Sequence, residues 1–263
     1  MGQGGGRSGG GNVNGLIEGL QWLVDPANWS GVDGVPARVW EHVQLSVISL
    51  AIATLIAVPL GLWIGHTRRG QFWTVQLANL GRSIPSLAIL SIAFLLVVKL
   101  APASHQQLAF GFLPTIVALT LLGIPVILIN TYVGVQQVDP DTVEAARGMG
   151  MSGRQVLWRL EVPLAMPLIM TGLRLAAVQI VATAGLAALI AGGGLGRYVV
   201  DGFALRETDR IVAGAILIAV LSLLTDTAFS LLAKATAPRL TSSRGARAPA
   251  GVDVAGGEVT PPT

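Results

Sequence analysis

The sequence predicts an all-α integral membrane protein with about five core transmembrane helices. Three observations carry that reading. Charged residues make up only 12% of the chain and apolar residues 52%, whereas a soluble domain carries roughly a quarter charged residues. The mean hydropathy is +0.67. Five segments are apolar for about the 20 residues that a helix needs to cross a bilayer core.

The elements follow in order. Residues 1–11 are nearly all Gly, with Ser and the single charge of Arg7. No apolar run follows that charge, so the stretch is not a signal peptide and reads as a flexible tail. Residues 16–24 are too short to span. They read as an interfacial helix with Trp22 and Trp29 at headgroup level. Spans are expected at 43–64, 86–100, 113–135, 163–191 and 211–233. The second is short, and Lys99 can snorkel at its end. Residues 241–263 are small, polar and rich in Pro and Gly, the composition of a disordered tail. The expected organisation is therefore a flexible tail and interfacial segment over 1–37, a transmembrane domain over 38–236, and a disordered tail over 237–263.

Charge and cysteine usage narrow the function. The chain has no cysteine, which excludes a disulfide framework and thiol chemistry. Its net charge of +3 reflects loop charges that set orientation, not a nucleic-acid partner. With the N-terminus placed outside, ten Lys and Arg fall inside and six outside, and Arg174 lies within the fourth span. Arg68 and Arg69 directly after the first span, and Lys234 after the fifth, agree with the positive-inside rule. This puts the loop at about 137–160 and the C-terminus in the cytoplasm.

That loop is the most informative segment. Asp139-Pro140 is a good helix start, an acid at the N-cap before a proline. Asp141 and Glu144 have capping-box spacing, and their charge suits a helix N-terminus. Ala145 and Ala146 keep the surface low. Gly148 and Gly150, flanking Met149, weaken the helix and allow a sharp turn. Ser152 to Gln155 has the spacing of a second capping box. Pro163 lies where the new helix is expected to end or bend. The result is helix, glycine turn, helix, with small residues that let a partner's backbone come close. An ordinary hairpin between two spans would share this local pattern.

The spacing is more specific. Glu144-Ala145-Ala146, three residues, Gly150, nine residues, then Leu160-x-Val162-Pro163 resembles the EAA loop of ABC-importer permeases. Leu160 and Val162 stand where that family usually has Ile and Leu. The run from Asn130 to Pro140, with Ile84-Pro-Ser-Leu-Ala88 and the glycine run 191–196, resembles the osmoprotectant branch: permeases for glycine betaine, carnitine, choline and related quaternary amines. The likeness covers about 41–233. A similar glycine run occurs in methionine-type permeases, so the implied fold is methionine-permease-like. The resemblance implies that Glu144, Ala145, Ala146, Arg147, Gly148, Gly150 and Pro163 form the segment that couples to a cytoplasmic ABC ATPase. It also implies a second permease copy or paralogue, an extracytoplasmic substrate-binding protein, and ATP and Mg held by the ATPase. No cofactor is expected in this chain.

Other candidates are weaker. Gly192, Gly193, Gly194 and Gly196 lack the Gly-Lys-Ser/Thr of a phosphate-binding loop. They read as an outer turn or as a hinge near the pathway mouth. Arg174 and Asp226 lie inside spans, where ionisable groups mark partners, pathways or gates. Trp63, Trp73, Tyr132 and Tyr198 show no spacing suggestive of an aromatic cage for a quaternary amine. His42, His66 and His105 lack metal-ligand spacing, so no metal site is expected. Asp139 and Asp141 read as caps, not as an acid–base pair. No catalytic arrangement is visible. The chain reads as a transport subunit and not an enzyme, located in the cell membrane. A permease for methionine or another small amino acid keeps the mechanism and changes the cargo. An ion-coupled secondary transporter, or a membrane anchor without transport, would leave the EAA-like loop unexplained.

Overall fold

The computed structural model describes residues 10–70, 72, 76, 79, 83–100, 111–190 and 192–236. The expected tails at 1–9 and 237–263 lie outside the described residues, as do Arg82, Trp73 and His105. In chain order the elements are α1 (Gly10–Val24), a 3-10 turn (Pro26–Trp29), α2 (Val35–Thr67), α3 (Ser86–Leu100) and α4 (Phe112–Gln136). Then come α5 (Pro140–Gly148), α6 (Gly153–Val156), a π-helical turn (Leu157–Glu161), α7 (Val162–Ala184), a 3-10 segment (Gly185–Ile190), α8 (Gly196–Leu205) and α9 (Thr208–Thr236). No strand occurs among the described residues.

Four helical stretches are long and apolar enough to span: Val35–Thr67, Phe112–Gln136, Gly153–Ile190 and Thr208–Ala235. The remaining expected span is α3, whose 15 residues reach only about 22 Å at 1.5 Å per residue. That falls short of a core about 30 Å thick. α2 begins at Val35, earlier than the expected 43. Pro36 at the first helical turn is pre-set for helix, and Arg38, Glu41 and His42 after it each find a partner within the protein.

The bundle is held by close approach. Burying apolar groups gives little driving force in lipid, so helices associate where small residues let backbones meet. Ser49, Ala53, Ala57, Gly61 and Gly65 recur every four residues along α2, and all are buried. They form one stripe against α4. A Cβ on Gly61 would lie 2.7 Å from the Cβ of Thr131, and one on Gly65 2.7 Å from the Cβ of Val135. α4 meets α7 in the same way: Gly172 faces Asn130 and Gly134 faces Ala165 and Leu168. Ala53, Ala57, Ile127, Leu128 and Ala176 fill the space where α2, α4 and α7 meet. Hydroxyls in the spans are quenched locally. Ser46, Thr54, Thr171, Thr225 and Thr227 each donate to the carbonyl four residues earlier.

α9 is the outlier. Leu223, Leu224 and Leu231 are each more than 60% exposed, so most of this span meets lipid or another chain. α1 lies across its start, where a Cβ on Gly19 would be 2.6 Å from Val212. Leu16, Ile17 and Leu20 remain about half-exposed. Trp22 packs edge-on to Tyr198 with ring centroids 5.1 Å apart.

Candidate functional site: the coupling segment

The segment between α4 and α7 folds as its residues dictate. The Asp139 carboxylate accepts from the Asp141 N–H at 3.0 Å and from the Thr142 hydroxyl at 3.2 Å. Asp139 thus caps α5, with Pro140 at the first helical turn. The Asp141–Glu144 pair does not form this cap, because Asp139 sits two residues nearer the orphan N–H groups. The far end of α5 is a Schellman turn. Gly150 N–H donates to Arg147 O at 2.9 Å and Met151 N–H to Ala146 O at 3.1 Å. That closure needs a left-handed residue, and Gly150 has φ +86°. Ser152 and Gln155 close a full capping box on α6.

Pro163 does not end the helix. It has no N–H for the carbonyl of Arg159. The chain shifts instead to π register over Leu157–Glu161, with Val162 N–H donating to Leu157 O. α6, the π turn and α7 therefore run on as one helix.

α5 faces away from the protein. Ala146 is its only buried residue, while Glu144, Ala145, Arg147 and Gly148 are exposed and Met149 is 78% exposed. A Cβ on Gly148 would meet nothing within 4 Å, so nothing within the chain itself requires a glycine there. Behind α5 lies a hollow of about 570 Å³, lined by Glu144 and Arg147 on one side and by His66, Arg68 and Glu161 on the other. His66 Nδ1 lies 2.6 Å from Glu161 Oε2. Glu161 is only 5% exposed.

The glycine run lies at the opposite end of α2. Gly192 N–H donates to Ala187 O at 2.9 Å and Gly194 N–H to Glu41 Oε2 at 2.9 Å. His42, fully buried, sits at the centre. Its Nε2 is 2.9 Å from Val181 O and its Nδ1 accepts from Leu195 N–H at 3.3 Å. One nitrogen faces a carbonyl and the other an N–H, which assigns the neutral Nε2–H tautomer. A Cβ on Gly193 would lie 2.8 Å from Glu41, and one on Gly196 2.0 Å from Gly185 O. Close packing accounts for these glycines. Gly194 also has φ +81°. Arg38 supports Glu41 at 2.8 Å and pairs with Asp33. The Tyr198 hydroxyl donates to Asp33 O at 2.6 Å, and burial pushes its pKa above the usual tyrosine value.

Arg174 and Asp226, far apart in sequence, form one bidentate pair, with Nε and Nη2 each 2.6 Å from a carboxylate oxygen. Arg174 stands about 18 Å into α7 and Asp226 about 15 Å from the end of α9, by helical rise. Both lie within candidate spans, and their side chains are 39% and 38% exposed. Of the aromatic candidates, Trp73 lies outside the described residues, and Trp63, Tyr132 and Tyr198 do not converge. Tyr132 and Tyr198 are buried at opposite ends of the bundle, and Trp63 is 58% exposed. No group of three His, Cys, Asp or Glu suits a metal ion among the described residues. Sequence reasoning missed Glu41, His42, His66 and Glu161. Their signal was polar side chains set in otherwise apolar helical stretches.

A close-packed bundle of helices long and apolar enough to span, with one short, outward-facing helix–turn–helix between two of them, is the architecture of a polytopic membrane protein. The chain belongs to the family of binding-protein-dependent transport system inner membrane components, which it matches over residues 57–242. It is 33% identical over 202 residues, 77% of this chain and 88% of the relative, to the glycine betaine/carnitine/choline transport system permease protein of Bacillus subtilis (strain 168). It is 35% identical over 208 residues, 79% of this chain and 88% of the relative, to a carnitine transport permease protein of Listeria monocytogenes. Its fold matches the MetNI methionine ABC transporter in an inward-facing form with a TM-score of 0.67, at 21% identity, over 83% of this chain and 98% of that one. The importer-permease resemblance, the methionine-permease-like fold and the assignment as a transport subunit rather than an enzyme agree with these relatives.

Proposed function

We propose that this chain forms the membrane pathway of an ATP-driven importer for osmoprotectants: glycine betaine, carnitine, choline or related quaternary amines. The observation that carries the reading is α5. It presents Glu144, Ala145, Arg147, Gly148 and Met149 outward, with a glycine its own packing does not demand. Low relief and exposed backbone suit docking into a cleft of a cytoplasmic ABC ATPase. ATP and Mg are bound by that partner. ATP-driven closure of two ATPase subunits pushes on α5 and rocks the spans from inward- to outward-open. An extracytoplasmic binding protein then delivers the solute.

The cargo follows from relatives at 31–35% identity that are named for osmoprotectants. A quaternary amine donates no hydrogen bond and favours aromatic faces. The scattered aromatics of this chain suit a division of labour in which the binding protein selects. Arg68, Arg147, Arg154 and Arg159 gather at the α5 end, which supports a cytoplasmic α5 and C-terminus and an outer N-terminus. The part-exposed Arg174–Asp226 pair, set within two candidate spans, is a poor neighbour for hydrocarbon. We assign it to the face that a second copy or a paralogous permease covers, lining the pathway or its inner gate.

The test is uptake of labelled betaine, carnitine, choline and methionine after osmotic upshift, in cells lacking the gene and in the same cells with it restored. Restored uptake of a quaternary amine is expected. Restored methionine uptake alone refutes the cargo. A Gly150→Asp chain is expected to insert in the membrane but fail to bind ATPase, and normal transport by it refutes the coupling role.

A further inference from the structure

We propose that the His66–Glu161 hydrogen bond makes α2 follow the coupling segment, so that His66 and Glu161 are positioning residues of the transport cycle. The inference rests on the reading of α5 as the ATPase contact.

α5 is weakly seated. It buries Ala146 alone, and the hollow behind it separates Glu144 and Arg147 from the end of α2. A push on α5 therefore has little to press against directly across that gap. It passes along the chain instead, through the Schellman turn and α6 into the π turn that ends at Glu161. A π turn is an irregular joint within a helix, and such joints cluster at functional sites. Glu161 is buried and reaches out of that joint to His66, in the last turn of α2. The His66 side chain is 20% exposed at the edge of the hollow and that of Glu161 only 7%, so breaking the bond leaves the Glu161 carboxylate short of a partner. Gly153 of α6 completes the contact: a Cβ there would sit 3.5 Å from His66 Nε2, so the imidazole lies against α6 as well.

The other end of α2 makes that following consequential. α2 is one continuous helix from Val35 to Thr67. His42 stands 24 residues before His66, about 36 Å away by helical rise. There Glu41 and His42 hold the backbone of Gly194 and Leu195. The Gly61–Gly65 stripe locks α2 to α4 between the two ends. Displacement of the inner end is thus carried toward the glycine loop by two helices packed along that stripe, each with one internal proline, Pro59 in α2 and Pro125 in α4.

The experiment uses the complex of this chain with its ATPase in vesicles, with the substitutions Glu161→Ala, His66→Ala, both together, and Glu161→Gln. Each variant is assayed for ATP hydrolysis and for uptake of the quaternary amines. Uptake per ATP hydrolysed is expected to fall about tenfold in either alanine variant, a typical coupling between sites. The double variant is expected to lose no more than the worse single one. Glu161→Gln still accepts from Nδ1–H and should keep most of the coupling. A merely structural role would lower hydrolysis and uptake together. Uptake per ATP at the unsubstituted level in both alanine variants, or fully additive losses, overturns the proposal. A second readout needs no cargo. The chain has no cysteine, so spin labels at Arg69→Cys and Arg154→Cys report the distance between α2 and α6. That distance should hold on ATP binding with Glu161 present and change with Glu161→Ala. An unchanged distance in the variant overturns the proposal even if the cargo has been misread. ATP that drives no uptake of any tested solute in the unsubstituted complex instead refutes the importer reading itself.

Discussion

Substitution of Gly61 by Ala should destabilise the bundle measurably although it adds one methyl group. The new Cβ would lie 2.7 Å from Thr131 Cβ, 2.9 Å from its Cγ2 and 3.1 Å from Leu128 O. Carbon atoms rest at about 3.5–4.0 Å, so α2 and α4 must part by about 0.8 Å or more. Neither Thr131 Cβ nor the Leu128 carbonyl can swing aside, as the tip of a flexible side chain would. Overpacking of this kind costs about 1–3 kcal/mol. At about 2–4 °C per kcal/mol for a chain this size, the apparent unfolding midpoint should drop by about 4–8 °C for a mid-range cost. Gly65→Ala should behave alike, since its Cβ would lie 2.7 Å from Val135 Cβ. The double variant should lose less than the sum, because one parting of the helices relieves both contacts. The assay is thermal unfolding of purified protein in one detergent at one heating rate, since membrane proteins unfold irreversibly and only matched scans compare. Gly148→Ala is the control: its Cβ meets nothing within 4 Å, and alanine favours helix there. If Gly61→Ala and Gly65→Ala are as stable as Gly148→Ala, the close-packed stripe does not hold the bundle.

Three further outcomes are expected. Arg174→Gln and Asp226→Asn should each lower the yield of folded protein, since each leaves a lone charge within the spans, while the two together should restore it; a double variant no better than the singles refutes the pairing argument. Tyr198→Phe removes the donor to Asp33 O, found at 2.6 Å, and should cost about 1–2 kcal/mol in the same unfolding scans. Gly194→Ala places a side chain at φ +81° with His42 Cβ 3.2 Å away; it should cost about 1–2 kcal/mol for the left-handed backbone alone, and an unchanged midpoint would show that the loop relaxes freely.

The parts legible in the sequence were those set by neighbours along the chain. Asp139-Pro140 and Ser152–Gln155 announce helix starts through residues within four positions of the N–H groups they satisfy, and both caps formed. Long apolar runs announce spans, and four of the five stretches are long enough to cross. Errors arose where local rules met a continuing helix. Pro163 reads as a stop because it removes one hydrogen bond, yet five residues of π register absorb that loss at little local expense. α2 was read as starting too late because Arg38, Glu41 and His42 look like loop residues until their partners are known.

Those partners explain why the rest stayed hidden. Glu41 and His42 bind a loop 153 residues away, and His66 binds a residue 95 away. Arg174 and Asp226 find each other across 52 residues. No periodicity reports which span lies beside which. The glycines occupy the boundary between the two cases. Four-residue spacing of Gly61 and Gly65 is visible in the sequence, but only the facing Thr131 and Val135 show that a methyl group would not fit. At Gly148 the structure shows open space instead. Gly148, on an exposed helix between two well-formed caps, meets no side chain among the described residues. The packing of the spans is thus explained by contacts the chain makes, whereas the proposed coupling role of α5 rests on the surface it leaves exposed.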